Sequence, residues 1–229
     1  MTRSIIQLWL LSIAAGAVDV IGFLGLGGLF AAHITGNIVI LGAHLVTGQF
    51  SSTGPLLSVP VFMLVLALVT MMGGKIEKKG FSPMIPLLIL QVIILMSSLT
   101  LGLIFGPFVN YDSTLAVLTG MLAVSAMATQ SAAIKMNLKK APSTVAMTNN
   151  VTQMTIDLAL LAGWHQGGAQ ERELAKSQIK LVFASLFGFI IGCGCGALLQ
   201  VKFGFGALLL PIVLAVVVAA SAFNQKTNT

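Results

Sequence analysis

The sequence predicts an all-α, polytopic membrane protein built twice from one plan. Three observations carry that expectation. Charged residues make up only 8% of the 229 residues and hydrophobic ones 57%, with a mean hydropathy of +1.01. Soluble domains carry about 25% charged residues, so this chain cannot clothe a water-facing surface of its own. Several apolar runs reach the roughly 20 residues a helix needs to cross the hydrocarbon core. Finally, a polar knot in apolar surroundings, His33-Ile34-Thr35-Gly36-Asn37, has an echo in Thr148-Asn149-Asn150. The net charge of +6 reads as basic residues flanking spans. No basic stretch with interleaved aromatics points to nucleic acid.

In chain order, Ile5 to Leu29 is the first span, interrupted by Asp19. Arg3 and the small residues Ala14 to Ala17 imitate a secretory signal, but the apolar run continues beyond a signal core to Phe30. Cleavage is therefore not expected. After the first knot comes apolar Ile38 to Val46, and then polar Gln49 to Pro55. Leu56 to Met72 is the second clean span, followed by a basic loop, Gly73 to Gly80. Met84 to Phe105 spans again and ends at Gly106-Pro107, with Ser113 or Asp112 expected as the next N-cap. Thr114 to Ile134 precedes a second basic loop, Lys135 to Pro142. The second knot continues into Ile156 to Leu161. Gly163 to Lys176 reads as the longest polar connection, and Ile179 to Leu199 and Phe205 to Phe223 as the last spans. The polar tail, Asn224 to Thr229, reads as frayed, and His165 beside Trp164 as interfacial.

These runs give six spans and one shorter segment at each knot. If both knots cross, the chain has eight transmembrane helices and its lysines and arginines divide 7 to 5. If both enter and return on one side, every basic residue except Lys202 faces the cytoplasm, 11 to 1. Cytoplasmic loops are the ones enriched in Lys and Arg. The six-span reading with two re-entrant half-helices is thus the expectation, with eight helices the alternative and both termini cytoplasmic.

The duplication extends past the knots. Thr35 falls on Thr148, Asn37 on Asn150, His44 on Asp157 and, with a two-residue insertion, Asp19 on Gln130. One membrane domain, 1–229, then holds repeats at about 5–106 and 112–224. Each half has three spans, an odd number, so the second half is inverted. Inverted repeats with broken helices near the midplane recur among transporters.

Ala15-Gly16-Ala17-Val18-Asp19 followed by Phe30 and Thr35-Gly36-Asn37 resembles the YoaK family of bacterial multi-pass membrane proteins. That family shows AG-x-x-D, then F-x-x-x-x-TGN, and later a Gln before a second Thr-Gly motif. Here Asn149 stands where that second glycine would be. The resemblance implies a six-span inner-membrane protein; it implies no substrate and no mechanism.

The candidate site follows from cost. An unpaired carboxylate near mid-depth costs about 2.5–3.5 kcal/mol on insertion scales, so Asp19 should face a partner or a cavity. Thr35 is the expected cap of a helix starting at Thr35-Gly36-Asn37. Two such helix starts converging from opposite leaflets would favour an anion or a polar neutral solute. The residues expected to bind solute or line a pore are Asp19, His33, Thr35, Gly36, Asn37, His44, Gln130, Thr148, Asn149, Asn150, Gln153 and Asp157. His44 and Asp157 also suggest a titrating pair. No catalytic, metal or cofactor constellation is present: Cys193 and Cys195 are too close to bridge without strain, and Gly22 to Gly28 lacks the strand and helix setting of a nucleotide loop.

The function expected is a small transporter or channel for a small polar solute or anion, not an enzyme. Its site would lie at the midplane between the knots, with Asp19 a candidate proton link. A non-transporting scaffold or accessory subunit, assembled through the Gly188-Gly192-Gly196 ridge, is the alternative. The lipid bilayer is the one certain partner, and a homo-oligomer fits a chain this small without a fixed number.

Overall fold

A computed structural model describes residues 3–48, 51–138, 141–144, 147–164, 166 and 168–226. Readings placed on Gln49, Phe50, Lys139, Lys140, Val145, Ala146, His165 and the last three residues lie outside these. Among the described residues the chain is all helix: α1 (Arg3–Gly25), α2 (Ile34–Thr47), α3 (Thr53–Lys78), α4 (Met84–Phe105), α5 (Thr114–Asn137), α6 (Met147–Leu161), α7 (Ala169–Phe203), a 3₁₀ turn (Gly204–Leu208) and α8 (Leu209–Lys226). Five helical stretches are long and apolar enough to cross a membrane. The last of them, Ala169–Phe223, is 55 residues long. It breaks at Gly204, where φ is +54°, and turns back as α8.

Six long helices run between two ends of the bundle. At one end the cavity-lining residues Gln7, Ile76, Met84, Asn137 and Ala222 come together, and the Gln7 amide donates to the Ser221 hydroxyl at 3.2 Å. At the other end the Ser51 amide donates to the Gly27 carbonyl at 3.0 Å, and Gly27 lies under the Tyr111 ring. The connection from α1 to α3, which contains α2, therefore leaves and rejoins the bundle at the same end. There, Asp112 Oδ1 accepts from the Ser51 hydroxyl and from the amides of Ser52 and Thr53. Asp112 thus caps α3, while Ser113 caps its own helix through the Ala116 amide. Partial burial pulls the Asp112 carboxyl upward, but its donors on Thr53, Ser51 and Ser52 outweigh that and hold it below the usual carboxylate range.

The packing obeys an exchange rule. α1 packs along α7, and α3 along α5; α1 meets α8, and α5 meets α4; α2 lies on α3, and α6 on α7; α4 touches α8, and α1 touches α5. Renaming α1–α4 as α5–α8, and the reverse, leaves this set unchanged.

The seam between α1 and α7 is the closest. Gly188 sits over Trp9, Gly192 over Ile13 and Gly196 over Ala17, so the two helices run parallel. A Cβ on Gly192 would collide with the Ile13 carbonyl, and one on Gly16 with the Phe189 carbonyl. In lipid, helices gain little from hydrophobicity and associate through close van der Waals approach, which small residues permit. The ridge is thus consumed within the fold, against α1. Gly194, off the ridge, has open space around it.

Several boundaries differ from expectation: α3 runs from Thr53 to Lys78, into the stretch read as the first basic loop, and α5 continues to Asn137, into the second. α7 begins at Ala169, inside the stretch read as a polar connection. Glu171 accepts from the Gly168 amide at the first turn, and Lys176 pairs with Glu173. This charged turn-and-a-half sustains helix outside the apolar part. α2 begins at Ile34 rather than at a Thr35 cap, for the reason given next.

Candidate functional site

α1 ends at Gly25, and the chain then folds back on itself. Gly27 and Gly28 adopt φ of +65° and +92°, which residues with a Cβ rarely take. The returning strand of backbone descends to Asp19, two turns inside the end of α1. Asp19 is 2% exposed. Its Oδ1 accepts from the Ala32 amide at 2.5 Å, and its Oδ2 accepts from the His33 amide at 3.2 Å. The His33 Nδ1 lies 2.7 Å from the same Oδ2. The carboxylate from α1 thus does what Thr35 was expected to do: it satisfies the free amides where α2 starts. Thr35 itself is exposed. No side chain of residue 33 or 35 caps the helix.

The consequence for anions is direct. The positive end of α2 already faces a carboxylate of the chain, which takes the amides of Ala32 and the N-cap His33 and disfavours an anionic solute there.

Asn37 secures the other side of the break. Its Oδ1 accepts from the Phe30 amide at 2.8 Å, and its Nδ2 donates to the Phe30 carbonyl at 2.7 Å and to the Ser58 hydroxyl of α3 at 2.8 Å. Gly36 gives room to the Phe30 ring, which a Cβ would touch; its φ is not positive. The His33 ring lies edge-on to Phe189 of α7, with centroids 5.1 Å apart. The side chain is 31% exposed, and its Nε2 has no partner among the described residues. The hydrogen bond thus ties a buried carboxylate to a half-exposed imidazole.

The second knot repeats the first in outline. The Asn150 Nδ2 donates to the carbonyl of Ser143, again seven residues back, at 2.6 Å. Gln130, at the position matching Asp19, donates through Nε2 to the Leu11 carbonyl at 3.0 Å and to the Thr144 hydroxyl at 3.4 Å. Ser143 also accepts from the Ser185 hydroxyl, which is bonded to Ser12.

The two knots do not form one pocket. Gln130 meets α1 at Leu11, eight residues before Asp19 and so about 12 Å away along the helix axis. Asp19 and His33 come together; Asn37, Gln130 and Asn150 each serve their own junction. Thr148, Asn149 and Gln153 lie on the exposed face of α6. His44 and Asp157 form no pair, because α2 lies on α3 and α6 on α7. Asp157 is buried, accepts from Gln153 at 2.8 Å through Oδ1, and leaves Oδ2 without a partner.

Three residues absent from the sequence reading belong to these junctions. Ser58 and Thr144 are one-atom partners that composition does not reveal. Gln91, fully buried in α4, donates to Gln130 Oε1 at 2.8 Å. Its signal was available: a lone carboxamide inside an apolar span, the same sign that marks Asp19.

Fold and site together define a class: an all-helical, polytopic membrane protein. Within that class the chain belongs to the family described as protein of unknown function DUF1275, whose pattern matches residues 7–221. It is also 42% identical over 69 residues to the UPF0700 transmembrane protein YoaK of Bacillus subtilis (strain 168), covering 30% of this chain and 31% of that protein. The matched stretch is therefore about a third of that relative's length. No solved structure matches the chain significantly.

Proposed function

We propose that this protein is a small secondary transporter of the bacterial cytoplasmic membrane that moves a small polar, uncharged solute and couples it to protons at Asp19. The observation that carries the reading is the Asp19–His33 couple, a buried carboxylate tied to a half-exposed imidazole at the point where a helix breaks. The cost of placing a carboxylate inside a bilayer favours a functional role for such a residue. A carrier fits better than an open channel, since one turn inward from the cavity-lining Gln7 and Met84 the same helices carry the fully buried Leu11, Leu87 and Leu88.

In this reading six helices span, and α2 and α6 are re-entrant. The Ser51–Gly27 bond supports a return of the first segment to its own side, and the 11-to-1 charge division favours a cytoplasmic Gln7 end. The exchange rule in the helix packing supports an inverted duplication. So do the two asparagines that each bond seven residues back.

Two experiments test this. In a chain lacking Cys193 and Cys195, single cysteines at Thr47 and Tyr111 should label from the outer side and one at Ser82 from the cytoplasmic side. Labelling of Thr47 with Ser82 would reject the re-entrant topology. In proteoliposomes, uptake of a panel of polar solutes should rise with an imposed proton gradient and lose that response in Asp19→Asn. If no solute in the panel enters faster than into protein-free vesicles, the transporter reading fails.

A further inference from the structure

The interior of the Gln7-end half contains an acceptor with nothing to accept. Gln91 is fully buried, and its Oε1 has no hydrogen-bond partner. Its orientation is forced through a relay. The Leu11 carbonyl can only accept, so Gln130 must turn its Nε2 toward it. Gln130 Oε1 then faces Gln91, which must answer with its own Nε2, at 2.8 Å. Flipping either carboxamide would set two oxygens or two amino groups against each other. The leftover atom is therefore always Gln91 Oε1.

A buried acceptor left unpaired is costly, and an apolar residue at position 91 would only move that cost to Gln130 Oε1, which Gln91 satisfies. The surroundings, Leu87, Leu88 and Leu95, are all fully buried and offer the Gln91 oxygen no donor. The relay thus accounts for Gln91 Nε2, while its Oε1 is left for a donor from outside the chain.

Directly below it along the same helices is a cavity of about 790 Å³ at the Gln7 end. Gln7, Met84 and Asn137 line it. They lie one turn from Leu11, two from Gln91 and two from Gln130, so the cavity mouth is about 10 Å from the relay. Between the two along α4 and α5 lie Leu87, Leu88, Ala133 and Ile134, which belong to one packed apolar cluster. The charged side chain nearest along α5, Lys135, lines a separate recess with Phe62 and Leu66 of α3.

We propose that Gln91 is the solute-binding residue of this half. Its free carboxamide oxygen takes an N–H or O–H of a small uncharged solute that enters from the Gln7-end cavity when that apolar cluster opens. This rests on the transporter reading and names the chemical class it moves: hydrogen-bond donors without charge, with simple amides and ureas the best match to an acceptor inside an amide relay.

The test uses two probes on the full chain. Crystals of the protein are soaked in selenourea, whose selenium is located by anomalous scattering, and urea entry into proteoliposomes is followed by stopped-flow light scattering. The expected results are a selenium peak within hydrogen-bonding reach of Gln91 that is absent from Gln91→Met, and urea flux about tenfold lower in that variant, the effect of one hydrogen bond. A buried water only at Gln91, with urea flux unchanged in Gln91→Met, overturns the proposal while leaving the transporter reading in place. A selenium peak without urea flux in the unaltered protein upholds the site and removes the transporter reading. If Gln91→Met does not fold, Gln91→Asn takes its place, since it keeps the carboxamide but withdraws its oxygen by one methylene.

Discussion

The strongest structural commitment is that one carboxylate holds the first helix break. Asp19→Ala strips acceptors from the Ala32 amide, the His33 amide and the His33 ring. Each buried donor left unpaired costs about 1–3 kcal/mol. Relief from burying the carboxylate returns part of this, so the net loss should be about 3 kcal/mol, the lower end for breaking a buried charged pair. Asp19→Asn behaves differently. It keeps an oxygen for Ala32, and its amino group can donate to His33 Nδ1 once that ring takes its other tautomer. The His33 amide then keeps only its longer 3.3 Å contact to the retained oxygen, so the cost should be at most about 1 kcal/mol. Both variants should be unfolded by titration with a denaturing detergent and followed by the fluorescence of Trp9, which packs on Gly188. Hydrogen exchange at Ala32 and His33 gives a local readout of the same change. If Asp19→Ala unfolds within about 0.5 kcal/mol of the unaltered protein, the size of an ordinary surface substitution, then this carboxylate does not hold the break.

Other predictions follow from the packing. Gly192→Ala should destabilise by about 2 kcal/mol through collision with the Ile13 carbonyl. Gly194→Ala, facing open space, should be neutral or stabilising by up to about 1 kcal/mol; equal melting temperatures for the two would contradict the seam described. Asn37→Ala removes three hydrogen bonds at Phe30 and Ser58 and should cost about 2–3 kcal/mol, read by detergent unfolding. Asp112→Ala should speed hydrogen exchange of the Ser52 and Thr53 amides about fivefold at neutral pH, as for a lost N-cap. Because the Asp112 carboxyl is held below its usual 3.8, the clamp is fully present above that pH and fades as pH falls through the folded value. The variant and the unaltered protein should therefore converge in strong acid and differ at neutral pH.

Much of the fold was legible because lipid makes a blunt demand: apolar runs of sufficient length become helices. α4 was read at both ends, Met84 to Phe105. α7 was not, because Gln170 to Lys176 form helix in water through a first-turn cap and an ion pair, and hydropathy registers neither. Asp19 was legible from cost alone, yet its partner was not. His33 stands fourteen residues on, across a reversal that depends on Gly27 and Gly28, and spacing rules for one helix do not reach across such a turn. The same limit explains Thr35, a good cap by residue type that was displaced by a stronger acceptor from a neighbouring helix. The glycine ridge was visible as a pattern, but only its partner, α1, shows that it serves the fold rather than assembly.

The pairing of Asp19 with Gln130 carries a final consequence. A molecule made of two inverted copies has no preferred direction; what one face does, the other can do. A single difference at matching positions removes that indifference. Asp19 can gain or lose a proton, and Gln130 cannot. On the duplicated reading, the hinge of α2 is held by an ionisable group, while the hinge of α6 is held by a neutral one. The asymmetry between the two halves would then reside in one pair of side chains, a carboxylate on α1 and a carboxamide one methylene longer on α5.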